Sequence, residues 1–420
     1  MRVLQAVHQF LPRYVGGTEL YTAQLCHWLQ AQGHDVAVLA GGDTGGDVTW
    51  EGIPVTTTPG GLHGPKGPGA LFLSSFGNRQ AEVAFQRLLA EFRPDVVHIH
   101  HLMGLSPRLP ALAKAAGVPV CATLHDYWFL CPKSQLIDHR DTLCGGPQGG
   151  VNCARCAVDR LGRPHLMPLA PLAAPLFASR QARVRRAFAA CDLLMTPSRF
   201  VADVAREAGL PPDRMLPVDF GIDASAPLPR VERAPGDPLR VAYLGSIDES
   251  KGVHVLLEAC RILDPRAADV AVYGNLATAN GGYQLRMRRL AARTPYGEAL
   301  LQGPLPHSQV PAMLAATDVL VVPSTWYENA PLVISEAFAA GVVVVASNQG
   351  ALAEKVRDGV DGLLFPRGDA PALATVLRRM AGDRGLVDRL RLGTPRHASR
   401  GEHWAQVEAV YQRLVEARQR

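Results

Sequence analysis

Short runs of β-branched and other apolar residues recur along this chain, and stretches with helical periodicity lie between them. This alternation predicts parallel sheets with helices on both faces, because parallel strands need a crossover connection that a helix supplies. It stops over residues 223–238 and then starts again. The strand-like runs are Val3–Val7, Val36–Leu39, Val96–Ile99, Val118–Ala122 and Leu193–Thr196, then Val241–Leu244, Val270–Tyr273, Val319–Val322, Val342–Ala346 and Leu363–Phe365.

The interruption at residues 223–238 holds prolines, alanines and charged residues without apolar periodicity, which is typical of a linker. The 420 residues also exceed the length of ~250–300 at which single cores stop growing. We therefore expect two doubly wound α/β domains facing across a cleft, residues 1–225 and 236–398, with a last helix, 399–420, packing back on the first. Ligands of such sheets bind outside the carboxyl ends of the strands.

Composition excludes several classes of protein. The chain is 47% hydrophobic and 19% charged, as a globular protein is, and its formal charge of +5 without basic clusters does not indicate nucleic-acid binding. No apolar run approaches the ~18–20 residues of a membrane span, and Met1–Val7 is typical of a first strand rather than a signal segment. We expect a cytoplasmic protein.

The segment after Val319–Val322 carries two glutamates eight residues apart, Glu328 and Glu336, with Asn329 and Pro331 between them. Pro331 suits the first turn of a helix, which would leave the amides of Leu332 and Val333 free to bind phosphate. Both carboxylates would line one crevice and reach past a diphosphate to sugar hydroxyls. The alternative is an ordinary strand–loop–helix with surface glutamates.

Three further segments indicate the same kind of site. Gly16 and Gly17 precede the helical stretch Leu20–Gln30, where Thr18 could cap the helix and a phosphate could lie, although a plain capped turn is the alternative. Ser246 and Lys251 follow the strand Val241–Leu244, and Lys251 could neutralise a leaving diphosphate unless it is an ordinary surface lysine. His125 and Asp126 follow a first-domain strand, where a histidine satisfied in the core is the alternative.

Together these residues resemble glycosyltransferase family 4, the retaining transferases of GT-B fold, which consists of two Rossmann-like domains. The resemblance spans nearly the whole chain. It rests on Gly16-Gly17, the strand Pro94–His100, Pro197-Ser198, Lys251-Gly252, the Glu328-x7-Glu336 element and Gly341–Phe365 with its segment Glu354–Gly359.

The resemblance implies a role for each matched residue. Glu336 would bind the ribose hydroxyls of the donor, Glu328 the hydroxyls of the transferred sugar, and the amides near Leu332 and Val333 the phosphates. Lys251 would offset the diphosphate charge, Gly17 would approach the same diphosphate, and His125 would lie near the reacting carbon. Relatives often carry an arginine where this chain has Ser246. Lys251 would then act alone or with another cation, such as Arg199 or Arg240.

The predicted activity is transfer of a hexose-type sugar from a nucleotide diphosphate sugar to a hydroxyl of a glycan, lipid-linked or small-molecule acceptor. The resemblance implies retention at the anomeric carbon. The chain has no Asp-x-Asp pair, so we expect no metal or other cofactor in catalysis. Residues 60–80 and the cysteine-rich insertion would contact the acceptor.

Four cysteines, Cys131, Cys144, Cys153 and Cys156, lie in an insertion at about residues 128–160. Four thiols suffice for a structural zinc ion, with Cys153-x2-Cys156 as the hairpin half of the site. Redox-labile or free thiol pairs and an iron–sulfur cluster are the alternatives. Beyond the insertion, residues 166–188 mix apolar residues with arginines including Arg180, which favours either peripheral membrane contact or a solvated basic helix face.

Two other classes of function stay open on the sequence. The chain could be a nucleotide-sugar-binding scaffold without turnover, which release of free nucleoside diphosphate would distinguish. It could also be a phosphorylase or epimerase of GT-B fold. A glycosidase is disfavoured because one carboxylate is better explained as a ribose ligand, and an oxidoreductase because no Gly-x-Gly-x-x-Gly follows either opening strand.

Overall fold

The computed structural model describes residues 1–60, 67–223, 228–232, 234 and 236–419. The chain divides into two units, the first comprising Met1–Asp219 with Glu402–Arg420 and the second Phe220–Gly401. Residues 224–227, 233 and 235 of the predicted linker and residues 61–66 of the predicted acceptor loop lie outside the described residues.

The first unit is built on an eight-stranded sheet of order β3-β4-β2-β1-β5-β6-β7-β8, in which only the β3–β4 pair is antiparallel. Its strands are β1 (Arg2–Val7), β2 (Asp35–Gly42), β3 (Gly46–Trp50), β4 (Ile53–Pro59), β5 (Val96–Ile99), β6 (Val120–Thr123), β7 (Leu193–Thr196) and β8 (Met215–Pro217). Its helices are α1 (Gly17–Ala31), α2 (Gly67–Ser74), α3 (Arg79–Glu91), α4 (Leu109–Ala115), α5 (Val151–Arg160), α6 (Ala174–Ala189) and α7 (Arg199–Glu207). A 3₁₀ segment, Pro164–Ala173, runs into α6.

The second unit holds a six-stranded sheet of order β11-β10-β9-β12-β13-β14, and all of its strand pairs are parallel. Its strands are β9 (Leu239–Leu244), β10 (Ala268–Tyr273), β11 (Leu301–Gly303), β12 (Val319–Val322), β13 (Val343–Ser347) and β14 (Gly362–Phe365). Its helices are α8 (Val253–Cys260), α9 (Gly281–Ala292), α10 (Val310–Ala315), α11 (Leu332–Ala339), α12 (Gly350–Lys355), α13 (Ala370–Gly382) and α14 (Arg384–Leu392), and α15 (Arg400–Gln419) joins the first unit from Glu402 onward.

The central strand β12 shows why these residues form a doubly wound sheet. Val319 and Val321 pack into the larger core of the second unit, whereas Leu320 and Val322 pack into a separate core on the opposite face. Successive side chains of a strand point to opposite faces, so a continuous apolar run suits a strand covered on both sides. The ten predicted strands are confirmed to within three residues at each end.

Four strands escaped the sequence analysis because they are short or polar. β3 and β4 form a hairpin through Glu51 and Gly52, which both have positive φ values, 45° and 82°. β8 and β11 have three residues each. β3, β8 and β11 lie at sheet edges, and β4 carries Thr56, Thr57 and Thr58 in place of apolar residues, so none of the four produces an apolar periodic signal.

Two predicted helix starts are wrong by one or two residues. Gly16 caps α1 without a side-chain hydrogen bond, and Thr18 lies inside the first turn because the helix begins at Gly17. Pro331 caps α11 with a ψ of 77° rather than occupying its first helical position.

The pair Cys153 and Cys156 lies on helix α5 rather than in a hairpin, so these two thiols are one helical turn apart.

Candidate active site

Lys251 is held by a short turn after the first strand of the second unit. The side chain of Asp248 accepts hydrogen bonds from the amides of Ser250 (2.9 Å) and Lys251 (3.2 Å), which caps a 3₁₀ turn over Glu249–Lys251. The amide of Thr325 donates to the carbonyl of Ser250 at 2.7 Å. The turn that carries Lys251 is thereby tied to the loop that leaves β12.

Gly252 makes this close approach feasible. Its φ is +70°, and a Cβ atom there would lie 1.9 Å from the carbonyl oxygen of Pro323. Only glycine can adopt this left-handed conformation without strain and also fit so close to the Pro323 carbonyl. The Lys251-Gly252 pair of the sequence therefore combines a cation with the residue that positions it.

Lys251 and Glu328 form an ion pair in the structure. Nζ of Lys251 lies 2.8 Å from Oε1 and 3.0 Å from Oε2 of Glu328, and the Ser324 hydroxyl donates to Oε1 at 2.7 Å. The ammonium also lies 5.2 Å from the centroid of the Trp326 ring. Glu328 is 8% exposed, so its carboxylate is fixed by the lysine and the serine rather than by water.

Gln349 supports this arrangement and was missed in the sequence. Its Nε2 donates to the carbonyls of Ser324 (2.6 Å) and Trp326 (2.8 Å), which fixes the loop between β12 and Glu328. Gln349 and Ser324 both follow the carboxyl ends of neighbouring parallel strands, β13 and β12. Their position after the carboxyl ends of two apolar strands is the sequence signal that could have identified Gln349 and Ser324.

A cavity of about 220 Å³ lies beside the ion pair. Among the described residues that line it, Lys251 is the only cation and Glu328 the only carboxylate, and the wall includes Ser246, Leu332 and Val333. The amide of Leu332 donates to the carbonyl of Ala330 at 2.8 Å, so it is not free as predicted, because the chain turns tightly at Pro331 before the helix begins. Asn329 is buried next to Glu328.

Glu336 lies on α11 and is not one of the residues that line this cavity. Glu336 is partly exposed. Its pKa is raised above the ordinary value, mainly because burial disfavours the carboxylate. The nearby His307 and Arg400 act in the opposite direction, and Asp223 adds to the increase. The helix begins at Leu332, so Glu336 is in its second turn and faces these groups. The two glutamates are thus placed in separate surroundings of the second unit.

Arg240, one of the two alternative cations, cannot assist Lys251. Its Nε lies 3.3 Å from the buried carboxylate of Asp318, directly before β12, at the amino end of the sheet. The cavity lies at the carboxyl end of the same strands. Arg199, the other alternative, begins α7 in the first unit, and its proposed contribution stays a prediction.

In the first unit, His125 and Asp126 follow strand β6 as predicted and join a histidine cluster. Nε2 of His125 lies 3.0 Å from Nδ1 of His100, and Nε2 of His101 lies 3.1 Å from a carboxylate oxygen of Asp126. Burial lowers the pKa of His125 to about 3, so its imidazole is neutral at pH 7. A neutral imidazole can exchange hydrogen bonds with a sugar hydroxyl without adding charge.

Gly16 and Gly17 lie at the amino end of α1 in the same unit. A Cβ atom on Gly16 would lie 2.5 Å from a carboxylate oxygen of the buried Glu19, whereas one on Gly17 would have no neighbour within 4 Å. The Cβ position of Gly17 therefore faces open space, and its predicted contact with a diphosphate stays a prediction.

The four cysteines of the insertion, Cys131, Cys144, Cys153 and Cys156, line one cavity of the first unit, and none forms a disulfide. Burial raises the pKa of Cys153 to about 12 and that of Cys156 to about 11, so both are neutral thiols at pH 7. In the described part of the chain, no three His, Cys, Asp or Glu side chains are arranged as metal ligands. The structural zinc ion stays a prediction.

Two doubly wound α/β units of this kind make up the GT-B fold. Solved structures of the same fold include sucrose-phosphate synthase from Thermosynechococcus elongatus, with 18% identity, a TM-score of 0.70 and coverage of 99% of this chain and 100% of that chain. Anabaena HepE in complex with UDP matches with 18% identity and a TM-score of 0.63 over 99% of each chain.

The family follows from two sequence models. The model for Glycosyltransferase Family 4 matches residues 15–226, and the model for glycosyl transferases group 1 matches residues 226–394. The chain belongs to glycosyltransferase family 4.

Similar proteins include the amylovoran biosynthesis glycosyltransferase AmsK of Erwinia amylovora, with 28% identity over 47% of this chain and 49% of the relative. The D-inositol 3-phosphate glycosyltransferase 1 of Catenulispora acidiphila is 28% identical over 79% of this chain and 78% of the relative. In AmsK and in the WcaL glycosyltransferases of colanic acid biosynthesis, the chain spans about half of the relative's length.

No helix within the described ranges combines the length and hydrophobicity that a membrane crossing requires.

Proposed function

We propose that this protein transfers a hexose-type sugar from a nucleoside diphosphate sugar to a hydroxyl group of a glycan, lipid-linked or small-molecule acceptor. The Lys251–Glu328 ion pair beside the amino end of α11 is the observation that carries the proposal. A cation and helix-end dipoles suit a departing diphosphate, and a carboxylate next to them suits sugar hydroxyls. Family membership and the nucleotide-bound structures of the same fold support this assignment.

Each residue has a distinct part in the proposed reaction. Lys251 would shift from Glu328 towards the diphosphate as negative charge develops there, since the transition state carries more charge on the leaving group than the bound donor does. Glu328 would accept hydrogen bonds from hydroxyls of the transferred sugar. Glu336 would accept hydrogen bonds from the ribose, and the family resemblance assigns donor contacts to His125 and Gly17 as well.

The chemical step that we propose retains the configuration at the anomeric carbon. The bond between that carbon and the diphosphate oxygen breaks, and its electron pair leaves with the diphosphate. The acceptor oxygen forms a new bond on the same face and passes its proton to an oxygen of the leaving phosphate. Lys251 and the dipole of α11 supply the positive charge in this step, so the proposed transfer is independent of a metal ion.

The first experiment is a thermal-shift screen of nucleoside diphosphate sugars, because a bound ligand stabilises a protein by RT ln(1 + [L]/Kd). The donor found in this way is then titrated calorimetrically into the wild type, Glu336→Gln and Glu298→Gln. Glu298 is an exposed glutamate of the same unit that pairs with Arg288, so its variant removes one charge away from the site.

We expect Glu336→Gln to weaken donor binding about 10- to 150-fold, because it loses a charge-assisted hydrogen bond worth ~1.5–3 kcal/mol. Glu298→Gln should bind the donor as the wild type does. Equal affinities for all three proteins would contradict the ribose role. Donor binding without release of nucleoside diphosphate, in the presence of any acceptor, would instead support the scaffold alternative. Analysis of the anomeric configuration of the product, with and without chelator, tests retention and metal independence.

A further inference from the structure

A second cavity, of about 630 Å³, lies within the first unit. It is bounded by α2, the segment that follows β6, and helices α5 and α6. Aromatic and aliphatic side chains form most of its wall, including Phe72, Met103, Trp128, Ile137 and Phe177. Its volume falls in the range of ~300–1,000 Å³ that is typical of small-molecule sites.

Arg180 of α6 is buried in this apolar wall. The residue is 1% exposed, its Nη2 donates to the carbonyl of Trp128 at 2.8 Å, and its guanidinium carbon lies 4.5 Å from the centroid of the Trp128 ring. Among the described residues, neither Nε nor Nη1 has a hydrogen-bond partner. Burial lowers the pKa of Arg180 to about 10, so the guanidinium is still charged at pH 7.

Arg180 has no ion-pair partner among the described residues. Asp126 is the carboxylate that acts on it electrostatically, but Asp126 is paired with His101. Asp126 lines the cavity, but its carboxylate is bound by His101 at 3.1 Å and by the Trp128 amide at 2.8 Å.

Two more cations, Lys133 and Arg160, also line the cavity, so its described wall holds three Lys or Arg side chains against one carboxylate. A buried charge is normally paired, since leaving it without a partner is costly. The excess of positive charge favours an anionic ligand.

The lining of the cavity includes exposed leucines. Leu161 and Leu176 line it and are 69% and 48% exposed. Leu169 and Leu172 lie on the 3₁₀ segment that leads to Leu176 and are 55% and 79% exposed. At Leu161 and Leu176 the apolar lining of the cavity is therefore continuous with exposed apolar surface.

We propose that this cavity binds an amphipathic anion, with an apolar body against the leucines and aromatic rings and a phosphate-type group on Arg180. The inference rests on the proposed function in one respect, since it identifies this ligand with the acceptor of the transferase. The acceptor would then be a molecule whose apolar portion bears a phosphate and whose hydroxyl receives the sugar.

The test uses decyl phosphate, decyl glucoside and inorganic phosphate, each titrated calorimetrically below its micelle concentration into the full-length protein. We expect decyl phosphate to bind at least about tenfold more tightly than either of the other two, because only it offers both the chain and the charge. Equal binding of decyl phosphate and neutral decyl glucoside would overturn the proposal without any variant. Vesicles containing dihexadecyl phosphate, compared with neutral vesicles, distinguish a membrane-borne ligand from a soluble one.

Variants of α6 assign the anion to Arg180. Arg180→Met keeps the apolar volume and should lose at least about tenfold in decyl phosphate affinity while binding decyl glucoside as before, and Arg180→Lys should restore part of the loss. Arg186→Met is the matched control, since Arg186 is an exposed arginine of the same helix. Decyl phosphate affinity that is unchanged in Arg180→Met would overturn the proposal.

Two further measurements separate the explanations. Zinc held stoichiometrically by the four cysteines, with no binding of decyl phosphate, would show that a metal–thiolate cluster neutralises Arg180 and would overturn the anion site. Nucleoside diphosphate binding, measured on the same preparations, reports on the second unit. If the proposed function is wrong, the protein binds decyl phosphate but no nucleoside diphosphate. If the cavity proposal is wrong, it binds nucleoside diphosphate but not decyl phosphate.

Discussion

Nζ of Lys251 lies within 3.0 Å of both carboxylate oxygens of Glu328, although 77 residues separate the two in the chain. The pair makes the cavity beside α11 electrically balanced, with one cation and one carboxylate among its described lining residues. A diphosphate that enters must therefore share Lys251 with Glu328. The interaction of Lys251 with the diphosphate is strongest when the departing group carries its full negative charge. Lys251 would therefore stabilise the transition state more than the bound donor.

Lys251→Met should lower the turnover number about 100- to 1,000-fold, the usual loss when one group that stabilises developing negative charge is removed. The measurement is release of nucleoside diphosphate at saturating donor. Arg288→Met, which removes an exposed cation paired with Glu298 in the same unit, serves as the control and should turn over normally. Normal turnover in Lys251→Met would remove the lysine from the mechanism.

Gly252→Ala should destabilise the second unit by more than ~2 kcal/mol, because a Cβ atom there would meet the Pro323 carbonyl at 1.9 Å. Gly297→Ala is the matched comparison. Gly297 also has a positive φ, +63°, but nothing lies within 4 Å of its Cβ position, so only the left-handed strain of ~1–2 kcal/mol applies. Denaturant unfolding, followed by circular dichroism, measures both, and equal losses would mean that the close approach to β12 is unimportant.

Acidification should destabilise the first unit. Burial lowers the pKa of His98 and His100 well below the ordinary value and that of His125 to about 3. Below pH 6.5 the unfolded chain therefore binds more protons than the folded one, so the stability contribution is full above pH 6.5 and declines as the pH falls. At pH 5.5, His125 with its pKa of about 3 lowers the stability by about 1.4 kcal/mol relative to pH 7.5, and His98 and His100 act in the same direction.

Tryptophan fluorescence can follow this loss, because four of the five tryptophans, Trp28, Trp50, Trp128 and Trp404, belong to the first unit. The unfolding midpoint should fall steadily between pH 7.5 and pH 5. His27→Gln, which removes an exposed histidine, should show the same pH profile as the wild type. A midpoint that does not change with pH would contradict the neutral state of the buried cluster.

The thiols of Cys153 and Cys156 should react slowly with iodoacetamide, at least about 100-fold more slowly than free cysteine at pH 7.5, because their raised pKa leaves little thiolate. Mass spectrometry of the modified peptides gives the rates, and a metal indicator in the same reaction records zinc. Release of one zinc ion per chain upon modification would contradict neutral thiols and would confirm the predicted zinc site instead.

The sequence by itself predicted the strands of both sheets, because each buried strand is a run of β-branched or other apolar residues whose pattern does not depend on its neighbours. It also predicted that Lys251, Glu328 and His125 follow strand ends. It could not detect the edge strands β3, β8 and β11, which are short or exposed, or the threonine-rich strand β4, whose polar residues give no apolar pattern.

Only the tertiary structure decided how distant residues pair. It joined Lys251 to Glu328, placed Arg240 on Asp318 at the opposite end of the sheet, and placed Cys153 and Cys156 on a helix. Arg180 is one of several arginines on α6 in the sequence, and its burial against Trp128 depends on a contact across 52 residues. Periodicity reports which side of an element faces the core, but burial and the partners of a charge depend on what packs against that side.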